Sequence, residues 1–120
     1  MPFQSTFAPL DIPECDVLSY IFPKDKVPSD QPIWIDAKQP ERSLSPRQAL
    51  LWVKRLAAGL DRLGIKEGEV VMIYTPNHIY VPVSYLGIVG SRRVFSGANP
   101  AYTIPGMKIK SVLKVVMANV

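Results

Sequence analysis

Residue types able to carry chemistry are sparse in this 120-residue chain. Cys15 and His78 are its only thiol and its only imidazole. A thiolate nucleophile needs a base beside it, and nothing in the sequence brings these two together, so no Cys–His dyad is expected. A single cysteine forms no internal disulfide, so nothing points to an oxidising compartment. The glycine-dense piece, residues 87–97, lacks the G-x-x-x-x-G-K-[ST] spacing of a phosphate-cradling loop and carries Arg92-Arg93 instead of the lysine. Trp34 and Trp52 could form a stacking platform, but core packing is the expected role of both. Asn99-Pro100 is expected to fix a turn, and His78 to sit exposed in a loop. No catalytic, cofactor-binding or metal-ligating residue is assigned from the sequence.

Charge placement says more than the net value of +4. Up to Glu69 there are nine Lys/Arg and ten Asp/Glu; beyond it there are no acids and five bases, Arg92, Arg93, Lys108, Lys110 and Lys114. Such a tail could attract nucleic acid or an anionic membrane; a solvated or non-native tail is the expectation, with no nucleic-acid partner. The first 15 residues hold Pro2, Pro9, Pro13, Asp11 and Glu14, which is not the apolar core of a secretory signal. The longest apolar run, residues 79–90, is interrupted by Pro82 and falls short of the ~20 residues of a membrane span. A soluble, cytoplasmic protein without a transmembrane segment is the default, and the hydrophobic share of 48% argues against disorder.

The elements that would position any site follow from local pattern. Asp16-Val17-Leu18-Ser19-Tyr20-Ile21-Phe22 reads as one or two helical turns capped by Asp16, or as a short strand. Ile33-Trp34-Ile35-Asp36 reads as a strand, with residues 38–42 as a turn. Ser45 as N-cap, Pro46 at the first helical position and Gln48 three residues after the cap form a capping box. Ala49, Val53, Leu56, Leu60 and Leu63 continue it as one apolar stripe, widened by Leu50, Trp52 and Ala57, until Gly64 ends the helix. Val70-Val71-Met72-Ile73-Tyr74, apolar without alternation, reads as an inner strand of a parallel sheet. Residues 79–91 form a second helix, closed by Arg92-Arg93 on its C-terminal dipole. Val94-Phe95-Ser96 is a second strand, with Gly97-Ala98-Asn99-Pro100 turning out of it. The order is a βαβ unit led by a helix, so the fold class is α/β with an incomplete sheet.

These pieces, with the Gly64-Ile65-Lys66-Glu67-Gly68-Glu69 turn, Pro76-Asn77 and Ala98-Asn99-Pro100-Ala101-Tyr102-Thr103, come in an order that resembles the N-terminal region of AMP-forming acyl-CoA synthetases. The nearest branch is the coumarate–CoA ligase-like enzymes, and Phe95-Ser96-Gly97-Ala98-Asn99-Pro100 is similar to their fungal members. The resemblance implies the opening part of the large domain of an adenylate-forming ligase. It implies a parent reaction in which ATP and magnesium activate a carboxylic acid as an acyl-adenylate, followed by transfer to coenzyme A, in fungal secondary metabolism or toxin formation or in the peroxisome. Such enzymes hold the triphosphate on a Ser/Thr/Gly-rich loop ending in Pro-Lys-Gly, with a Tyr-Gly-x-Thr-Glu stretch, a ribose-binding Asp and a Lys in a small C-terminal domain. None of these occurs in this chain, so no ATP, Mg or CoA contact is assigned to it.

The resemblance places residues 1–103 in a truncated N-terminal ligase region and leaves 104–120 as a non-family tail. Where the family continues with Glu-Leu after the Tyr-Thr pair, this chain reads Ile104-Pro105-Gly106-Met107. Gly106-Met107 can be encoded GGT-ATG, which contains a splice-donor-like GTATG, and Ala118-Asn119-Val120 can be encoded by a branch-site-like sequence. A retained intron is therefore the expected cause, ahead of a frameshift or nonsense change. The final tripeptide is not a peroxisomal Ser-Lys-Leu type. The expectation is an inactive ligase homologue; the alternatives are a module that pairs with a full-length ligase, or a small basic protein that contacts membrane or nucleic acid.

Overall fold

A computed structural model describes residues 6–99 and residue 101. What the sequence leads one to expect of residues 102–120, the basic tail included, lies outside the described residues. Element order is α1 (Val17–Ile21), β1 (Trp34–Ile35), β2 (Ser43–Leu44), α2 (Pro46–Arg62), β3 (Val70–Tyr74), α3 (Val81–Gly90) and β4 (Val94–Ala98).

The helix α2 starts where its capping box places it. The Ser45 hydroxyl accepts from Gln48 N–H at 3.2 Å, and the Gln48 side-chain oxygen accepts from Ser45 N–H at 2.9 Å. Two of the amides that a helix start leaves orphaned are thereby satisfied. Ala49, Val53 and Leu60 are buried along its stripe, but Leu63, at the C-cap, is 66% exposed. Trp52 departs from the core role expected of it and is 40% exposed, its ring edge-on to Tyr80 at 5.8 Å and under the Arg55 guanidinium at 5.0 Å. It sits on the shoulder of the stripe, where an aromatic ring covers core while facing water.

The helices α2 and α3 end in the same device. At the end of α2, Gly64 adopts φ +71°, its N–H donates to Asp61 C=O at 2.9 Å and Ile65 N–H donates to Leu60 C=O at 3.1 Å. This is a Schellman motif, completed by apolar contact between Leu60 and Ile65 in one core cluster. The helix α3 ends the same way, with Arg92 N–H donating to Val89 C=O and Arg93 N–H to Ile88 C=O, each at 3.0 Å. Here the left-handed position is held by Arg92, φ +60°, where glycine is usual.

The sheet that carries the unit has β3 and β4 parallel, paired Val70↔Val94 through Tyr74↔Ala98. The strand β4 is therefore longer than the 94–96 read from sequence. Gly97 and Ala98 are turn-compatible residues, but the ladder to Ile73 and Tyr74 draws them into extended pairing. Val71, Met72 and Ile73 are all buried, as a strand covered on both faces requires. A second sheet, unforeseen in its partner strand, is the antiparallel β1–β2 hairpin with Trp34 opposite Leu44. The capped reading of the first element holds: Asp16 caps α1, accepting from Ser19 N–H at 2.9 Å and from the Ser19 hydroxyl at 2.6 Å.

Two apolar clusters share α2 and α3. The first gathers Leu44, Ala49, Val53, Val83 and Leu86, with Leu18, Phe22 and Trp34 against it. The second gathers Leu60, Ile65, Val71, Ile73 and Ile88, with Leu56 and Phe95 against it. The two helices meet closely at Gly87, where an added Cβ would lie 2.8 Å from Leu56 Cδ2 and 3.2 Å from Leu56 Cβ.

Candidate functional site

Two places bring charged groups together. The first is a cleft of about 670 Å³ between the β1–β2 hairpin and the loop that leaves β3. In open α/β sheets, ligands favour the crevice outside the carboxyl ends of the strands, and Asn77, His78 and Ile79 line this cleft just beyond the end of β3. Asp36, Lys38 and Arg42 face them from the hairpin. The Asp36 carboxylate is held below its ordinary value, first by the Lys38 N–H, which donates to it at 2.8 Å, and then by Gln39 N–H at 3.2 Å and the nearby charges of His78 and Arg42. It is a turn-forming anion whose charge is already used.

His78 is half-buried, not the exposed loop residue expected of it. Its Nδ1 accepts from Tyr80 N–H at 3.3 Å, and its ring stacks on Tyr80 at 5.4 Å. Tyr80 is thus both its hydrogen-bond and its stacking partner; Cys15 is exposed ahead of α1. The Asn99 side chain accepts from Ala101 N–H at 2.9 Å, a turn-fixing bond as expected.

The second place is Arg93, which the sequence reading set with Arg92 at the C-terminal dipole of α3. Its side chain is 4% exposed. Nε donates to Ile65 C=O at 3.0 Å, Nη1 to Ser91 C=O at 3.2 Å, and Nη2 both to Ile65 C=O and to the Asp61 carboxylate, the latter at 2.6 Å. The guanidinium thus bridges the two Schellman turns, and its charge lies at the C-terminal dipole of α2 as well as that of α3. Arg92, by contrast, is exposed and meets Glu67 at 3.5 Å. An Arg-Arg pair reads as surface charge in a sequence; only the return of the chain to α2 buries the second one.

The donors of a nucleotide–metal centre can be checked against these residues. The loop 75–80 contains neither glycine nor lysine, and Pro82 in the first turn of α3 supplies no N–H. Among the described residues no three His, Cys, Asp or Glu side chains converge as metal ligands, and no helix is long and apolar enough to cross a membrane.

A parallel βαβ unit led by a capped helix, beside a short antiparallel hairpin, defines a small α/β unit. The family model described as "AMP-binding enzyme" matches residues 24–116, and the chain belongs to that family. It is 40% identical over 94 residues to a phenylacetyl-CoA ligase, epaB, of Aspergillus niger, covering 78% of this chain and 17% of that protein. It is 39% identical over 94 residues to an acyl-CoA ligase, azaF, of the same species, covering 78% of this chain and 18% of the relative. Among solved structures it resembles ATP-bound MatB from Rhodopseudomonas palustris, with a TM-score of 0.64 and 25% identity, covering 74% of this chain and 17% of that one. The chain thus spans less than a fifth of the length of these relatives. The ligase resemblance read over roughly residues 10–103 agrees with all three, and the family match continues past Thr103 to residue 116.

Proposed function

We propose that residues 1–103 are the scaffold opening of the large domain of an ATP-dependent acyl-CoA ligase of the fungal coumarate–CoA ligase-like branch. The parent reaction has two steps. A carboxylate oxygen attacks the α-phosphorus of ATP, releasing pyrophosphate and leaving an acyl-adenylate; the thiol of coenzyme A then displaces AMP from the acyl carbon. The similarity to a phenylacetyl-CoA ligase supports a small organic acid as the parent substrate, and the setting we assign is fungal secondary metabolism. The observation that carries the reading is the parallel β3–α3–β4 unit behind a capped α2, found together with 40% identity to a phenylacetyl-CoA ligase. On this reading the 1–120 segment has no turnover of its own and takes no ATP, magnesium or CoA, because its sequence holds none of the family's nucleotide-binding motifs.

A chimera tests the scaffold role. Residues 24–103 replace the matching stretch of the Aspergillus niger phenylacetyl-CoA ligase, and CoA thioester formation is measured. Activity within about tenfold of the parent is expected; an inactive but folded chimera refutes the role. The purified 1–120 chain is expected to give no ATP–pyrophosphate exchange above background. One observation favours a second reading, a module that pairs with a full-length ligase: in the described residues the β3–β4 sheet has only two strands, and Val94 on β4 is 49% exposed. Copurification with a full-length ligase would separate that reading from a solitary fragment.

A further inference from the structure

We propose that the groove between α1, the loop after it and the first half of α2 is a binding site for a small apolar carboxylate. The groove has a volume of about 400 Å³, within the range of small-molecule sites. Its apolar lining includes Leu18 and Phe22 from α1 and Leu50 from α2. Lys24, Lys26 and Lys54 also line it, and no Asp or Glu does. Lys54 stands one helical turn beyond Leu50, so both face the groove from one side of α2. Among the described residues none of these three ammonium groups has an ion pair or side-chain hydrogen bond. Three unpaired cations around an apolar floor complement a ligand with one anionic end and an apolar body.

The walls are fixed independently of any ligand. Phe22 N–H donates to Leu18 C=O at 2.8 Å and Lys26 N–H to Pro23 C=O at 3.1 Å, which shape the α1 side and the loop. The far side of the loop is tied to α2 by Arg47, whose Nε meets Asp30 at 3.0 Å and whose N–H donates to Ser29 C=O at 3.1 Å. The Ser19 hydroxyl is already committed to Asp16, so recognition falls to the lysines. At roughly 30 Å³ per water-sized group, the groove takes about a dozen non-hydrogen atoms, the size of a medium-chain or aryl carboxylate. The site depends on none of the ligase chemistry, and it can fail while the scaffold role stands.

The test is a titration of the full chain with octanoate and with octanamide at about 10 °C, near the usual maximum of stability. It follows the amide resonances of Leu18, Phe22 and Leu50 and the melting midpoint, which a native-state ligand raises. Octanoate is expected to shift these resonances saturably and to raise the midpoint, less so at high salt. The triple variant Lys24→Gln, Lys26→Gln, Lys54→Gln is expected to weaken binding by roughly tenfold or more. The control pair Lys38→Gln, Lys66→Gln is expected to leave it unchanged. Because all five lysines are exposed, both variants are expected to keep the fold, which the unchanged dispersion of their amide resonances checks. Equal binding of octanamide, unchanged binding by the triple variant, or a response to phosphatidylserine vesicles without one to octanoate overturns the proposal.

Discussion

Arg92 and Arg93 are adjacent and chemically identical, yet the backbone gives them opposite roles. Arg92 occupies φ +60°, a region in which a side chain is strained by about 1–2 kcal/mol. Its side chain is largely exposed and its ion pair to Glu67 is long, at 3.5 Å, so little is lost by removing it. Arg92→Gly is therefore expected to stabilise the protein by about 0.5–1 kcal/mol despite the greater freedom of glycine in the unfolded chain, measured by urea denaturation. Arg93→Met is expected to do the reverse. The methionine keeps the apolar stem, but Ile65 C=O loses its donor and Asp61 its partner. Asp61 is 68% exposed and can return to water, so the cost is set mainly by the carbonyl, at about 1–3 kcal/mol. A neutral result in the same denaturation series would mean that the buried guanidinium contributes no more than its stem. Neither role was legible in the sequence. A positive φ at a non-glycine residue has no compositional signature, and the burial of Arg93 depends on Asp61 and Ile65, which lie about 30 residues earlier in the chain.

Elements with a complete local code were readable, and those defined by a distant partner were not. The helix α2 carries its start in Ser45, Pro46 and Gln48 and its stop in Gly64, and β3 carries its depth in an unbroken apolar run; both lie where the sequence put them. The strand β2 is two residues long, too short for alternation to show. The length of β4 is set by β3 and not by its own Gly97 and Ala98. The cleft at the end of β3 was invisible for the same reason: Asp36 and Arg42 meet Asn77 and His78 only after the hairpin folds over the sheet end. Contact between helices can be probed at Gly87, where a valine would drive its branched Cβ into Leu56. Gly87→Val is expected to cost about 1–3 kcal/mol, since the clash reaches the Leu56 Cβ and outweighs any gain in helix propensity. The terminal element α1 offers a pH test. The Asp16 carboxyl is depressed below its ordinary 3.8, first by the Ser19 hydroxyl and then by the Ser19 amide. A depressed carboxylate contributes stability above its unfolded value and loses it as pH falls through the folded one. Protection of the Tyr20 and Phe22 amides in α1 is therefore expected to hold above about pH 4 and to fade below it. In Asp16→Ala it is expected to be low throughout, as read by hydrogen exchange.

At the scale of the whole molecule, the two apolar clusters are joined through α2 and α3, but the sheet beneath them is thin. A parallel sheet is normally covered on both faces and paired on most edges, and two strands alone are marginal in water. Here β3 is buried on both faces, while β4 leaves Val94 exposed at its start and Gly97 exposed near its end. Exposed apolar side chains also include Tyr85 on α3 and Ile33 and Ile35 around the hairpin. In relatives of which this chain covers 17–18%, most of the domain lies beyond the matched part, and that is the material able to supply further strands and to cover those faces. The expected consequence is a broad, weakly cooperative thermal transition for the isolated 1–120 chain, with protection concentrated in α2, β3 and α3, where both clusters meet. The same residues placed in the ligase chimera are expected to exchange only with the global unfolding of the large domain. A sharp, concentration-independent melt of the isolated monomer, with calorimetric and van't Hoff enthalpies in agreement, would show that the two clusters suffice and that β3–β4 is complete as a pair.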